Sequence, residues 1–233
     1  MNSIHRLLSN SPPILLHLEP RRDALSGPFG DGVGVRGRRR TSELALAAAI
    51  LLLQITPSVA ANANMVAEFG RTCVASKSST DLKNALARDS WKLFSSLAQT
   101  HLQREIKGVT PMLDAQGLSS DYVIYGRDVG GKHFELALSE TKKPVIEGRR
   151  LVGCSMYDFD ATSPIDSALI SAFAPKIAVQ KNSLSDAQIE IWVNAFGDGT
   201  GMRAVFIPAS SPMGDQLGFT GMMLGTHFLD RAK

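Results

Sequence analysis

Two strand-like runs, YVIYG at 122–126 and HFELAL at 133–138, flank Asp128-Val-Gly-Gly131, and no other stretch limits the fold as strongly. Glycine reaches the positive φ values that a tight hairpin turn requires. The segment therefore predicts two antiparallel strands with their turn at Gly130 and Gly131. Glu147-Gly148 turns the chain again, into RLVGCSMYDF at 150–159, which reads as a third strand.

Ser78-x-x-Asp81 resembles a capping box ahead of the hairpin. Leu82, Leu86, Leu93 and Leu97, with Ala85 and Phe94 beside them, mark one helical face running toward Arg104. A loop holding Pro111 and Gly117 follows. Ser163-Pro-Ile-Asp166 predicts a second helix, with serine at the N-cap and proline at the first position, ending near Phe173 before Pro175. QIEIWVNAF at 188–196 satisfies helical spacing in part, but its β-branched residues decide for strand. Asp198-Gly199 then turns into MRAVFIPAS, and a last strand lies within 218–228. The order is helix, three strands, helix, three strands. It predicts an α+β fold, an antiparallel sheet with helices packed on one face, built from a duplicated helix-plus-three-strand unit.

The apolar run at 44–53 extends at most to Ile55, which is about 12 residues where a bilayer-spanning helix needs roughly 20. Arg36-Gly-Arg-Arg-Arg40 precedes it, and Pro57 and Ala61-Asn62-Ala63 follow. These are the parts of a secretory signal peptide, assigned to 36–63, with cleavage between Ala63 and Asn64 or alternatively after Ala61. The competing reading is an uncleaved anchor, against which Glu43 and Gln54 shorten the greasy core. Residues 1–35 read as an over-long gene start, with translation beginning near Val33 or Val35; an organelle transit peptide is the alternative. The expected mature protein is one domain over 64–233. It is exported to a bacterial periplasm or the exterior and keeps no stable transmembrane anchor.

The formal charge of +3 arises entirely before residue 62, where seven arginines face four acidic residues. The remainder is neutral, which removes the electrostatic case for a nucleic-acid partner. Cys73 and Cys154 are the chain's two cysteines, and an oxidising compartment favours a disulfide between them over a reactive thiol.

No cofactor is indicated by the motifs. Asp158-x-Asp160-x-Thr162 begins like a calcium loop, but Ser163 stands where glycine is needed and Leu169 where a bidentate glutamate is needed. Gly197-Asp-Gly-Thr-Gly201 lacks the Gly-Lys-Ser/Thr ending of a phosphate loop and reads as a hairpin turn. Met202, Met213, Met222, Met223 and His227 could together hold copper(I), although their spacing is irregular and suits core filling. His101, His133 and His227 lie in no catalytic motif. The expected function is non-enzymatic binding of a protein or envelope component, through the sheet or through the turn residues Asp128, Gly130, Gly131 and Lys132 and Asp198, Gly199 and Thr200. An exported hydrolase assembled from scattered Ser, His and Asp residues is the alternative, and copper handling is a third.

Overall fold

The computed structural model describes residues 57–231 except 147, 172–179, 185, 193, 194 and 197–199. Helix α1, Pro57–Phe69, is continued by a π-helical turn over Gly70–Val74. Asn62, Met65, Val66, Phe69 and Cys73 are buried, and steps of three and four place them on one helical face. Buried Glu68 meets Arg71 at 2.6 Å and Arg127 at 2.8 Å, so its charge is compensated where it loses water. Asn62 Nδ2 donates to the Pro164 carbonyl at 3.2 Å. Both cleavage positions read from the sequence, after Ala61 and after Ala63, fall inside α1.

Helix α2, Ser79–Arg88, has the expected cap, in which Ser78 Oγ accepts from the Asp81 N–H at 3.0 Å. Leu82, Ala85 and Leu86 face the core. The helix stops well short of the expected end near Arg104. Ser90 adopts φ 59°, and the Trp91 and Ser90 N–H groups return to the Leu86 and Ala87 carbonyls at 3.0 and 3.2 Å, a Schellman ending. Leu93 therefore leaves the leucine stripe, sits in the short strand β1, Lys92–Leu93, and is 61% exposed. Leu97 begins a 3-10 turn over Leu97–Gln99.

Pro111 lies within helix α3, Gln103–Ala115, where the sequence suggested a loop. Proline removes one N–H from the helix and frees the Lys107 carbonyl; both residues are on the exposed side, where solvent reaches that carbonyl. Gly117, at φ 74°, ends the segment.

The remaining elements are β2 (Ser120–Val129), β3 (Lys132–Thr141), β4 (Arg149–Asp158), α4 (Ser167–Ser171), β5 (Gln180–Leu184), β6 (Ala187–Trp192), β7 (Gly201–Ile207), α5 (Pro212–Leu217) and β8 (Gly221–Arg231). Eight strands form one sheet in the order β1-β2-β3-β4-β8-β7-β6-β5, every neighbouring pair antiparallel. The expected α+β class and the first hairpin are both present. Val129 pairs with Lys132 across Gly130 at φ 59° and Gly131 at φ 80°, the conformation of a type I′ turn. Helix α4 starts later than expected, because the Asp166 carboxylate, not Ser163, accepts from the Ala168 N–H at 2.8 Å. Its expected end near Phe173 lies outside the described residues. The meanders β2-β3-β4 and β6-β7-β8 stand in mirror order about the β4–β8 seam, the arrangement two copies of one unit would take, with β5 and α5 as additions.

Phe134, Leu136, Leu138, Val152, Cys154 and Met156 point from β3 and β4 into one apolar cluster with α1 and α2. Met202, Ala204 and Phe206 of β7 and Met222, Leu224 and Phe228 of β8 extend it across the sheet. Cys73 meets Cys154 at disulfide-bonding distance, with the Cα atoms 5.6 Å apart, and so clasps the π-helical turn to a central strand. Residues between these point to the opposite face. There α3 and α5 cover part of the sheet. A Cβ at Gly218, just after α5, would stand 2.7 Å from the Glu105 backbone nitrogen of α3.

Candidate functional site

Strand register lays out the face opposite the disulfide in rows. One row runs Ala137, Ser155, Gly225, Arg203 across β3, β4, β8 and β7, and the next runs Tyr122, Ser139, Gly153, His227, Gly201 from β2 to β7. Glycine inside a strand commonly marks close approach by another group. Here it admits the neighbouring side chains. A Cβ at Gly225 would stand 3.1 Å from Arg203 Nε and 3.1 Å from Ser155 Oγ, and one at Gly201 would collide with the His227 ring. Tyr122, Ser139, Gly153, Ser155 and His227 are only half-buried, so the helices leave the centre of this face open.

At the edge of the open region, α3 lowers Glu105 onto the sheet. Tyr157 Oη donates to Glu105 Oε1 at 2.9 Å, and Ser155 stands two residues before it on the same face of β4. Glu105 Oε2 is buried and has no hydrogen-bond partner among the described residues. Burial raises the carboxyl to about 7, opposed by the Arg203 charge and the Tyr157 bond. Burial also pushes the Tyr157 phenol well above its ordinary range, reinforced by Glu105. On the other side of Arg203, burial and then the guanidinium charge hold His227 at about 4, so its imidazole is neutral at physiological pH. Arg203 is exposed and takes part in no hydrogen bond or ion pair among the described residues.

A cavity of about 190 Å³ lies elsewhere, lined by Lys83, Asp121, Val123, Leu138, Glu140 and Arg150 among others. Its charges are mutually engaged. Glu140 meets Arg150 at 3.0 Å and Lys83 at 3.9 Å, and Asp121 meets Lys142 at 3.7 Å. A ligand there would have to break existing pairs, whereas one at Arg203 would not.

The residues singled out by sequence are scattered. Asp128 is bonded to His133 at 2.7 Å beside the Gly130–Gly131 turn, and Lys132 Nζ donates to the Asp160 carbonyl at 3.3 Å. Thr200 is buried, while Asp198 and Gly199 lie outside the described residues. Register puts the Gly130–Gly131 turn and Thr200 at opposite ends of the sheet. His101 gives both its backbone N–H, at 3.1 Å, and its Nδ1, at 2.7 Å, to buried Glu135. Asp158 Oδ1 accepts from the Asp160 N–H at 3.0 Å, a local turn. Met202 and Met222 belong to the disulfide-side cluster, whereas Met223 and His227 point to the other face, and Met213 is in α5; the sheet divides the methionine set.

Sequence reading passed over Glu105 and Arg203, and took Tyr122 and Tyr157 only as aromatic side chains able to face a partner or pack in the core. Two signals were available: a lone arginine within the apolar MRAVFI, and the glycines Gly153 and Gly225 inside strand runs. Among the described residues no helix is long and apolar enough to cross a membrane. No family model, no curated protein and no solved structure matches the chain.

Proposed function

We propose that the protein is exported and works as a binding protein, engaging a protein or envelope component on the open sheet face around Arg203. The observation that carries this is the centre of the face: its middle strands carry glycine and serine, and an exposed guanidinium stands over them with no hydrogen bond or ion pair among the described residues. Antiparallel sheets can keep one face on the core and leave the other to solvent, and the half-open centre here is contact surface that the protein's own helices do not cover. The short apolar run, the small residues after it and the disulfide-distance cysteine pair support the exported compartment.

Binding is favoured over hydrolysis by the surroundings of Ser155. Glu105, the nearest buried acid, already accepts from the Tyr157 phenol, and among the described residues no hydrogen bond links Ser155 to an imidazole or carboxylate that would activate it as a nucleophile. A photo-crosslinking residue at Ser139, half-buried on the open face, should capture the partner from envelope extract, and the same residue at exposed Thr80 on α2 should not. Capture from Thr80 alone would reject the assignment, as would turnover of ester, peptide or phosphate substrates abolished by Ser155→Ala.

A further inference from the structure

We propose that Arg203 anchors a carboxylate of the ligand on this face; the inference rests on the sheet-face reading above. Arg71, Arg88, Arg104, Arg127 and Arg150 each meet a carboxylate of the protein itself. Arg203 does not. Its side chain lies along Gly225 toward Ser155, a course that a Cβ at position 225 would obstruct at 3.1 Å. The planar fork of guanidinium donors is therefore laid over the sheet and left open to a planar, bidentate acceptor.

The local charge selects among anions. Arg203 carries one positive charge, His227 is neutral near pH 7, and Glu105 is partly ionised there. A doubly charged phosphate would far exceed this charge, while a single carboxylate comes closer to matching it. Ser155 and Tyr122 stand nearby on β4 and β2 and offer hydroxyl groups to the same ligand.

Titration calorimetry and NMR on the purified protein test the assignment with N-acetylglycine, a tetrapeptide with a free C-terminus, the same peptide amidated, and inorganic phosphate. The acids are expected to bind and to move the Tyr122, Ser155 and His227 resonances. Amidation, or Arg203→Ala, should weaken binding about tenfold or more, as loss of a charged hydrogen-bond pair does; Arg203→Lys should retain part of it. Binding should also raise the pH at which His227 titrates, since the bound charge offsets Arg203, a response that a purely structural arginine would not give. Comparison of the tetrapeptide with N-acetylglycine tells a chain terminus from a free small acid. The anchor is overturned if no acid binds, if Arg203→Ala binds the acids like wild type, or if phosphate binds more tightly than they do. Continued crosslinking at Ser139 in the Arg203→Ala protein with undiminished partner affinity would refute the anchor alone; absence of crosslinking at Ser139 in wild type would refute the sheet-face reading.

Discussion

Replacing Glu105 with glutamine is expected to tilt the pH profile of stability, because the wild-type profile is the difference of two opposed titrations. Burial, the dominant influence, raises Glu105 from 4.5 to about 7. The folded protein thus keeps a proton that the unfolded chain gives up. The associated stability is complete below pH 4.5 and is lost as pH rises through about 7. At about 1.4 kcal/mol per tenfold change in proton affinity, the loss is on the order of 3 kcal/mol. His227 acts in the opposite sense. Burial and then Arg203 lower it from 6.5 to about 4, so its contribution is complete above pH 6.5 and is lost as pH falls through about 4. Between pH 4.5 and 6.5 the two slopes oppose each other and nearly cancel. Glu105→Gln keeps an acceptor for Tyr157 but removes one slope. The variant should lose on the order of 3 kcal/mol between pH 6.5 and 4, where wild type stays nearly level over most of the range. His227→Gln should show the mirror result, falling between pH 4.5 and 7. Equilibrium urea unfolding at half-unit pH steps, followed through the fluorescence of buried Trp91 and Trp192, measures both. Parallel profiles for wild type and Glu105→Gln would refute the reasoning, because the remaining titrating groups are common to the two proteins.

Three further outcomes are expected. Replacing both Cys73 and Cys154 with alanine should cost up to about 4.5 kcal/mol in urea unfolding, the chain-entropy value for a bridge between residues 81 apart; an unchanged midpoint, or thiol labelling of both residues before reduction, would exclude the bridge. Gly218→Ala should cost more than about 1 kcal/mol by calorimetry, since position 218 holds φ 81° and a Cβ there would meet the Glu105 backbone at 2.7 Å; an unchanged melting temperature would contradict this. Intact mass of the exported chain should show a start at Asn62 or Asn64. Asn62→Ala should destabilise only a chain that begins at Asn62, by about 1 kcal/mol through loss of the bond to Pro164.

Strand positions were readable because period-two apolar residues and positive-φ glycines act over a few residues: Gly130–Gly131 and the run from Leu151 to Tyr157 needed no distant partner. The α2 end was not readable. Leu93 continues the leucine spacing perfectly well, and only the left-handed Ser90 and its return bonds take the chain out of the helix. Helix α5 is six residues long, and β5 reads QKNSL, so neither offers a periodic apolar signal. The site escaped for a different reason. Glu105 and Arg203 are ordinary surface-type residues in sequence; the raised Glu105 carboxyl and the course of Arg203 along Gly225 arise only when α3 descends on β4 and strand register brings β7 alongside β8.

The seam between β4 and β8 pairs Arg149 with Arg231 through to Asp158 with Met222, and this has a kinetic consequence. Both strands lie at the middle of the sheet, yet β8 is the last of the eight in chain order. In a chain delivered N-terminus first, whether by synthesis or by threading through a pore, β2, β3 and β4 can join early, and β6 can join β7. Neither group shares a backbone bond with the other until β8 arrives. During that interval β4 and β7 present unpaired edges, and the apolar side chains meant to contact Met222, Leu224 and Phe228 remain uncovered. Insertion of this one strand closes contacts of high sequence separation on both sides at once, which makes it the slow, committing step of folding. It also makes β8 the segment whose shortening, residue by residue, should prolong the aggregation-prone interval before it measurably alters the finished sheet.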